Sequence, residues 1–317
     1  MADRHWSQVQ ESGALLGMKV MFFVYRVLGR WAFGLLLYPV ITYFFLARRQ
    51  ARSASMDYLN RVRQQGALPA STPLWQQSFS HFLHFGRNLL DKLAAWTGAF
   101  NYDNVRFHRR DDFLQMVDRQ QGALVIVSHL GNLEVCRALA DSSKRIRLNI
   151  LVHTKHAEKF NRLMNDLDND NHLNLLQVTD VSPATAMLLN DKLSAGEVVV
   201  IAGDRTPVNG GRQTDVDFLG APAAFPQGPY ILASVLRCPV YLMFCAKGED
   251  GYEIFFEKFA ERIRLSRNNR DADLRHWTTQ FAQRLAHYTL RYPLQWNNFY
   301  PFWSRAQADQ VYDSSST

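Results

Sequence analysis

The stretch VIVSHLGNLE, residues 125–134, changes character twice within ten residues. The β-branched run Val125-Ile126-Val127 favours a strand, and Gly131 permits a tight turn. Asn132 can cap a helix, and Glu134 falls in that helix's first turn, where negative charge suits the dipole. Short apolar runs of the same kind recur. ALVIVS (123–128), RLNILVH (147–153), NLLQV (174–178), VVVIAG (198–203) and CPVYLMF (238–244) read as strands. LEVCRALA, EKFNRLMNDL, PATAMLLNDKLSAG and PQGPYILASVLR read as the helices between them. The alternation predicts an α/β fold with a mainly parallel central sheet flanked by helices. YEIFFEKF (252–259) adds a late strand and residues 271–291 a long helix.

In such sheets binding sites lie outside the carboxyl ends of the strands. His129 stands there, at the end of ALVIV. The turn and the cap account for Gly131, Asn132 and Glu134; they do not account for the histidine. The functional reading makes His129 a general base that takes a proton from an attacking hydroxyl, with Glu134 fixing its tautomer. Spacing alone is weak support, because 10 His and 29 Asp+Glu produce about one His-x4-acid match by chance. The second match, His153/Glu158, lacks a turn glycine and sits in HTKHAEKFN, so Lys155 there is read as a substrate contact or a solvated surface group.

A second segment, IAGDRTPVNGGRQTDVDFLGAPAAFPQGPYILA (201–233), places Asp204 and Arg205 just past a strand, at the sheet edge expected for His129. FPQGP leads into a helix, and free N–H groups around Gln227 and Gly228 can bind phosphate or an oxyanion. With Asn132, these are the candidate substrate contacts. Asp215-Val216-Asp217 matches the DxD metal pattern of glycosyltransferases, but three residues in an acidic loop are a cheap match. DLDNDN (166–171) has Asn171 where a calcium loop needs glycine, so no metal site is expected.

The basic charge is uneven. Residues 1–100 hold 11 Lys+Arg against 4 Asp+Glu, and the rest of the chain balances, so the first third carries the whole net charge of +7. Residues 31–47, WAFGLLLYPVITYFFLA, have no charge at all, with Arg26, Arg30, Arg48, Arg49 and Arg52 around them. A helix of that length reaches ~25 Å, short of the ~30 Å hydrocarbon core of a bilayer. Residues 1–52 are therefore read as a membrane-associating helical segment that dips into one leaflet of an anionic surface. Nucleic-acid binding would need stacking aromatics among cations on a polar surface, and is excluded. Residues 53–115 read as a helical region packing on the core, in which His81 and His84 are surface histidines beside an apolar stripe. Residues 116–317 form the α/β domain. Three cysteines without a CxxC pair argue for a reducing compartment and against a disulfide framework.

SHLGNLE, GDR…VDFLGAPAAFPQGP and PLQWNNFYPFW together resemble the lysophospholipid acyltransferase-like superfamily, and within it the bacterial lipid A lauroyl/myristoyl acyltransferases. The resemblance implies an enzyme at the cytoplasmic face of a bacterial inner membrane. It would move a fatty acyl group from an acyl carrier protein or CoA thioester to a lipid or glycolipid hydroxyl, with no further cofactor. His129 would be the base, Glu134 its partner, and Asp204 and Arg205 would lie near the acceptor or oxyanion. Where the lipid A enzymes usually show Arg-Pro after the second strand, this chain reads VHTKHAEKFN, which leaves the acceptor open. A DxD glycosyltransferase and a non-catalytic lipid-binding homologue are the alternative readings.

Overall fold

Strand β2 (Ala123–Gly131) lies near the middle of a seven-stranded sheet in the computed structural model, which describes residues 34–96, 100, 104–136, 146–152, 173–177, 182–205 and 211–303. The other strands are β1 (Val105–His108), β3 (Leu148–Val152), β4 (Leu173–Gln177), β5 (Val198–Ala202), β8 (Val240–Lys247) and β9 (Tyr252–Ala260). Their order is β1-β9-β8-β2-β5-β3-β4. Every neighbouring pair is parallel except β8 with β9. The α/β architecture read from the alternation is therefore the one observed. A two-stranded antiparallel hairpin, β6 (Gln213–Phe218) and β7 (Ala221–Pro226), forms a separate small sheet.

The near-continuous apolar run of β2 reflects burial on both faces. Side chains alternate between two cores. Leu124 and Ile126, with Val199 and Ile201 of β5, join the larger one, which includes Phe281, Ala282 and Leu285 of helix α7 (Arg270–Arg291). Ala123, Val125 and Val127, with Val198 and Val200, join the smaller one beside Met116 of helix α4 (Arg110–Asp118). Two further helices, α5 (Pro183–Ser194) and α6 (Gly228–Leu236), complete the described α/β part.

The N-terminal third supplies helices in sequence: residues 34–47 (α1), α2 (Arg49–Gln64) and α3 (Leu74–Trp96). Leu37, Ile41 and Phe45, four apart, pack against Phe82, Leu83 and Leu90 of α3. Gly86 allows this approach, since a Cβ there would meet Leu37 Cδ1 at 2.7 Å. The opposite side of α1 leaves Leu35, Tyr38, Tyr43, Phe44 and Leu46 exposed to between 41 and 67%. Among the described residues no helix is long and apolar enough to cross a membrane. Residues 1–33 lie outside the described residues.

Two expectations are corrected here. The stretch 53–115 is not helical throughout: β1 occupies 105–108 and extends the sheet by pairing with β9. Four residues at a sheet edge are too few for an alternating pattern to stand out. His81, read as a surface residue, is fully buried. Its Nε2–H donates to the Trp296 carbonyl at 2.9 Å, and its Nδ1 accepts from the Ser55 hydroxyl at 2.9 Å. Burial lowers its pKa to about 4, the Trp296 hydrogen bond offsetting only part of that.

An acid-stability prediction follows from the sign of this shift. Unfolded His81 takes a proton near pH 6.5 and folded His81 only near pH 4, so the unfolded state binds more protons in between. Stability is expected to fall by about 3 kcal/mol as pH drops through that window. His129 and His84 are shifted the same way, so urea midpoints of wild type against His81→Phe isolate the contribution. Equal slopes for the two proteins would contradict it.

Candidate active site

The strand that carries His129 leaves its ladder just before the histidine. Val127 pairs with Met243 of β8, but the next pair is Gly131 with Cys245, so four residues of β2 face two of β8. This bulge swings residues 128–130 out at the carboxyl edge of the sheet. Gly131 closes it with φ +65, and a Cβ there would sit 1.7 Å from the Cys245 carbonyl oxygen. Asn132 then accepts the Glu134 N–H at 3.2 Å, as a cap does, and residues 133–136 turn into a helix.

On the other side of β2, Val127 pairs with Ala202 of β5. Two residues further along each strand stand His129 and Asp204. Because the strands are parallel, equal offsets become neighbours. The Asp204 carboxylate accepts three hydrogen bonds: His129 backbone N–H to Oδ2 at 2.8 Å, His129 Nδ1–H to Oδ1 at 2.8 Å, and Trp296 Nε1–H to Oδ2 at 2.9 Å. Asp204 is wholly buried. Burial alone would raise its pKa, but His129, Arg205 and the Trp296 N–H outweigh it and hold the group at about 2. It is therefore an ionised acceptor, and the proton between the two residues belongs to Nδ1. That leaves the lone pair on Nε2, which has no hydrogen bond among the described residues. The His129 side chain remains 41% exposed. Desolvation by the surrounding protein lowers its pKa and Arg205 and Lys92 act in the same direction, although Asp204 opposes them, so the ring is a neutral base at pH 7.

The partner carboxylate is thus Asp204, where spacing alone pointed to Glu134. Glu134 enters the local turn through its backbone N–H, which donates to the Asn132 side chain. Its spacing serves the cap, which is a local requirement, whereas the pairing of His129 is set by which strand lies beside β2. Asp204, fully buried, holds the His129 backbone and Nδ1 from one side. Asn132 is also fully buried; its amide reaches toward the Asn88 carbonyl and the Tyr252 hydroxyl at 3.4 and 3.5 Å, so it is a structural cap and not a substrate contact.

Arg205 is partly buried beside Asp204. Its guanidinium donates to the Asn297 carbonyl at 2.6 Å and lies over the Tyr300 ring, 4.6 Å from the centroid. Gln227 and Gly228 sit at the start of α6. The Gln227 amide donates to the Gln213 carbonyl and the Thr214 hydroxyl, tying α6 to the hairpin, while space beside Gly228 is open. Lys155 lies outside the described residues, as do 166–171. Asp215 and Asp217 alternate on the exposed side of β6, and the Asp215 carbonyl accepts from Arg275. Their DxD spacing is that of a strand with one face to solvent.

The aromatic tail WNNFYPFW (296–303) packs back across the site. Trp296 bridges Leu130, the Asn297 N–H donates to the His129 carbonyl at 3.0 Å, and the Asn297 amide donates to the Gly131 carbonyl at 3.1 Å. Asn88 of α3 donates to that same carbonyl at 3.1 Å. A tryptophan beside two asparagines is the only trace of this role in the sequence, and Asn88 left none.

A comparison with known families finds a match over residues 90–305, which contain β2, β5 and the tail that closes on them. None of the curated proteins matches. The matched family is described as bacterial lipid A biosynthesis acyltransferase, it covers well over half of the sequence, and the chain belongs to it.

Proposed function

We propose that this protein transfers a fatty acyl group from a thioester to a lipid hydroxyl, with His129 as the general base. The observation that carries this reading is an Nε2 with no hydrogen bond among the described residues, on an imidazole whose other nitrogen is held by a buried, ionised carboxylate, in a member of an acyltransferase family. The acceptor hydroxyl loses its proton to Nε2 as its oxygen attacks the thioester carbonyl. The C–S bond then breaks, and the thiolate leaves with the proton from His129. No acyl-enzyme is required, because the thioester is already activated. Arg205, fixed by the Asn297 carbonyl and the Tyr300 ring, is suited to stabilise the oxyanion of the tetrahedral intermediate.

The donor in this reading is acyl carrier protein or CoA, and the acceptor a lipid or glycolipid. The place of action is the cytoplasmic face of a bacterial inner membrane. Support for a membrane surface comes from α1, whose exposed apolar side is followed by Arg48, Arg49 and Arg52.

The test supplies purified protein with lauroyl or palmitoyl thioesters of CoA or of carrier protein, in the presence of vesicles made from bacterial polar lipids. Thiol release together with a lipid heavier by one acyl chain, read by mass spectrometry, is the expected result. Absence of both with either donor would refute the proposal.

A further inference from the structure

The Asp204 carboxylate has a third donor, which neither strand supplies. The indole N–H of Trp296 meets Oδ2 at 2.9 Å, so the carboxylate is gripped from the C-terminal segment as well as by His129. Trp296 is 1% exposed, and its ring is held edge-on by Tyr58, Phe218 and Phe302 with centroids 5.0 to 5.2 Å away. Its backbone is held too. The Trp296 carbonyl accepts from Nε2–H of His81, whose Nδ1 accepts from Ser55, which in turn accepts from Ser78 at 2.8 Å. A carbonyl can only accept, so this chain runs in one direction and fixes the His81 tautomer. His81 is stacked on Phe299, centroids 4.4 Å apart. Helices α2 and α3 therefore brace Trp296 from behind while its indole braces Asp204 from the front.

We propose that Trp296 is a positioning residue for acyl transfer, keeping the Asp204 carboxylate aimed at Nδ1 of His129, and that His81 secures Trp296 through its carbonyl. The inference rests on the reading of His129 as the base. An indole used only to fill the core would need no carboxylate at its N–H, whereas here the N–H completes a three-donor cradle around the charge. Charged groups acting on His129 are Asp204 and Arg205 at the β5 edge and Lys92 on α3, with Tyr300 next to Asp204. Removing the indole N–H leaves all of them in place.

The experiment compares wild type with Trp296→Phe, which keeps a ring in the core and deletes the donor. Thioester turnover is followed across pH with vesicles of bacterial polar lipids as acceptor. A fall in kcat of about 10- to 100-fold is expected, as for a misaligned catalytic group, with KM little changed. With one donor fewer, Asp204 stabilises the imidazolium more strongly. The acid limb of kcat/KM is therefore expected at higher pH, a change that loss of packing would not produce. A kcat within about twofold of wild type and an unshifted pH profile would overturn the proposal.

A second measurement needs neither the Trp296→Phe variant nor turnover, and uses an Asp204→Asn variant shown to be folded by its dispersed amide spectrum. Among the 7 Trp indole N–H resonances of ¹⁵N-labelled wild type, one is expected far downfield, and it should move upfield in Asp204→Asn. If no indole resonance responds, the proposal fails. If wild type consumes neither donor, the acyl-transfer reading fails by itself, and the indole resonance still decides whether Trp296 holds Asp204.

Discussion

Asp204→Asn is expected to lower acyl transfer by about 10²–10⁴-fold, to a level close to that of His129→Ala. The amide is nearly isosteric, but its NH2 cannot accept the Nδ1 proton. If the carboxamide turns that group toward the ring, the proton moves to Nε2 and the base is lost to the substrate. If it turns the other way, the negative charge that stabilises the imidazolium during attack is gone. Either way the transition state suffers more than the ground state, so the loss belongs in kcat. Glu134→Gln supplies the contrast. Nδ1 of the ring is held by Asp204, so the loss at Glu134 is expected to be far smaller than that of Asp204→Asn. Kinetics of the three variants, each shown to be folded by circular dichroism, check this directly. Equal losses at Glu134 and Asp204 would remove Asp204 from its proposed role.

Gly131→Ala is expected to cost about 4 kcal/mol or more of stability, a size that single substitutions reach only through severe strain. Two causes add. The residue sits at φ +65, which a side chain resists, and the new Cβ would lie 1.7 Å from the Cys245 carbonyl oxygen and 3.0 Å from Ala246 Cα. Both obstacles are backbone of β8, which is hydrogen-bonded in the sheet on both sides and cannot step aside. The Gly131 carbonyl also receives Asn88 and Asn297, and its N–H donates to the Gln295 carbonyl, so any shift disturbs three contacts that align this turn. Denaturant titration reads the loss, and soluble yield would fall with it. An unchanged midpoint would show that β8 yields more easily than its pairing suggests.

Local chemistry made most of the fold legible. The apolar runs of β2, β3, β5, β8 and β9 are long enough to name strands, and the alternation with helical periods names a parallel sheet. β1 escaped because four edge residues carry too little pattern. The hairpin of β6 and β7 escaped because prolines and glycines mark turns more loudly than two six-residue strands mark a sheet. His81 escaped because a histidine on an apolar helix stripe looks the same whether water or a carbonyl faces it.

His129, Gly131 and the Asn132 cap were readable from sequence alone, since strand propensity, a left-handed turn and a helix start all act within a few residues. The partner of His129 was not. Glu134 is near in sequence, Asp204 is 75 residues away, and nothing local distinguishes a carboxylate that caps a helix from one that meets an imidazole. That choice depends on β5, and not β3, lying beside β2, and on segment 295–300 folding back across both. Strand order and the return of the tail follow from how the whole apolar surface is buried, a property of the folded chain that no short stretch contains.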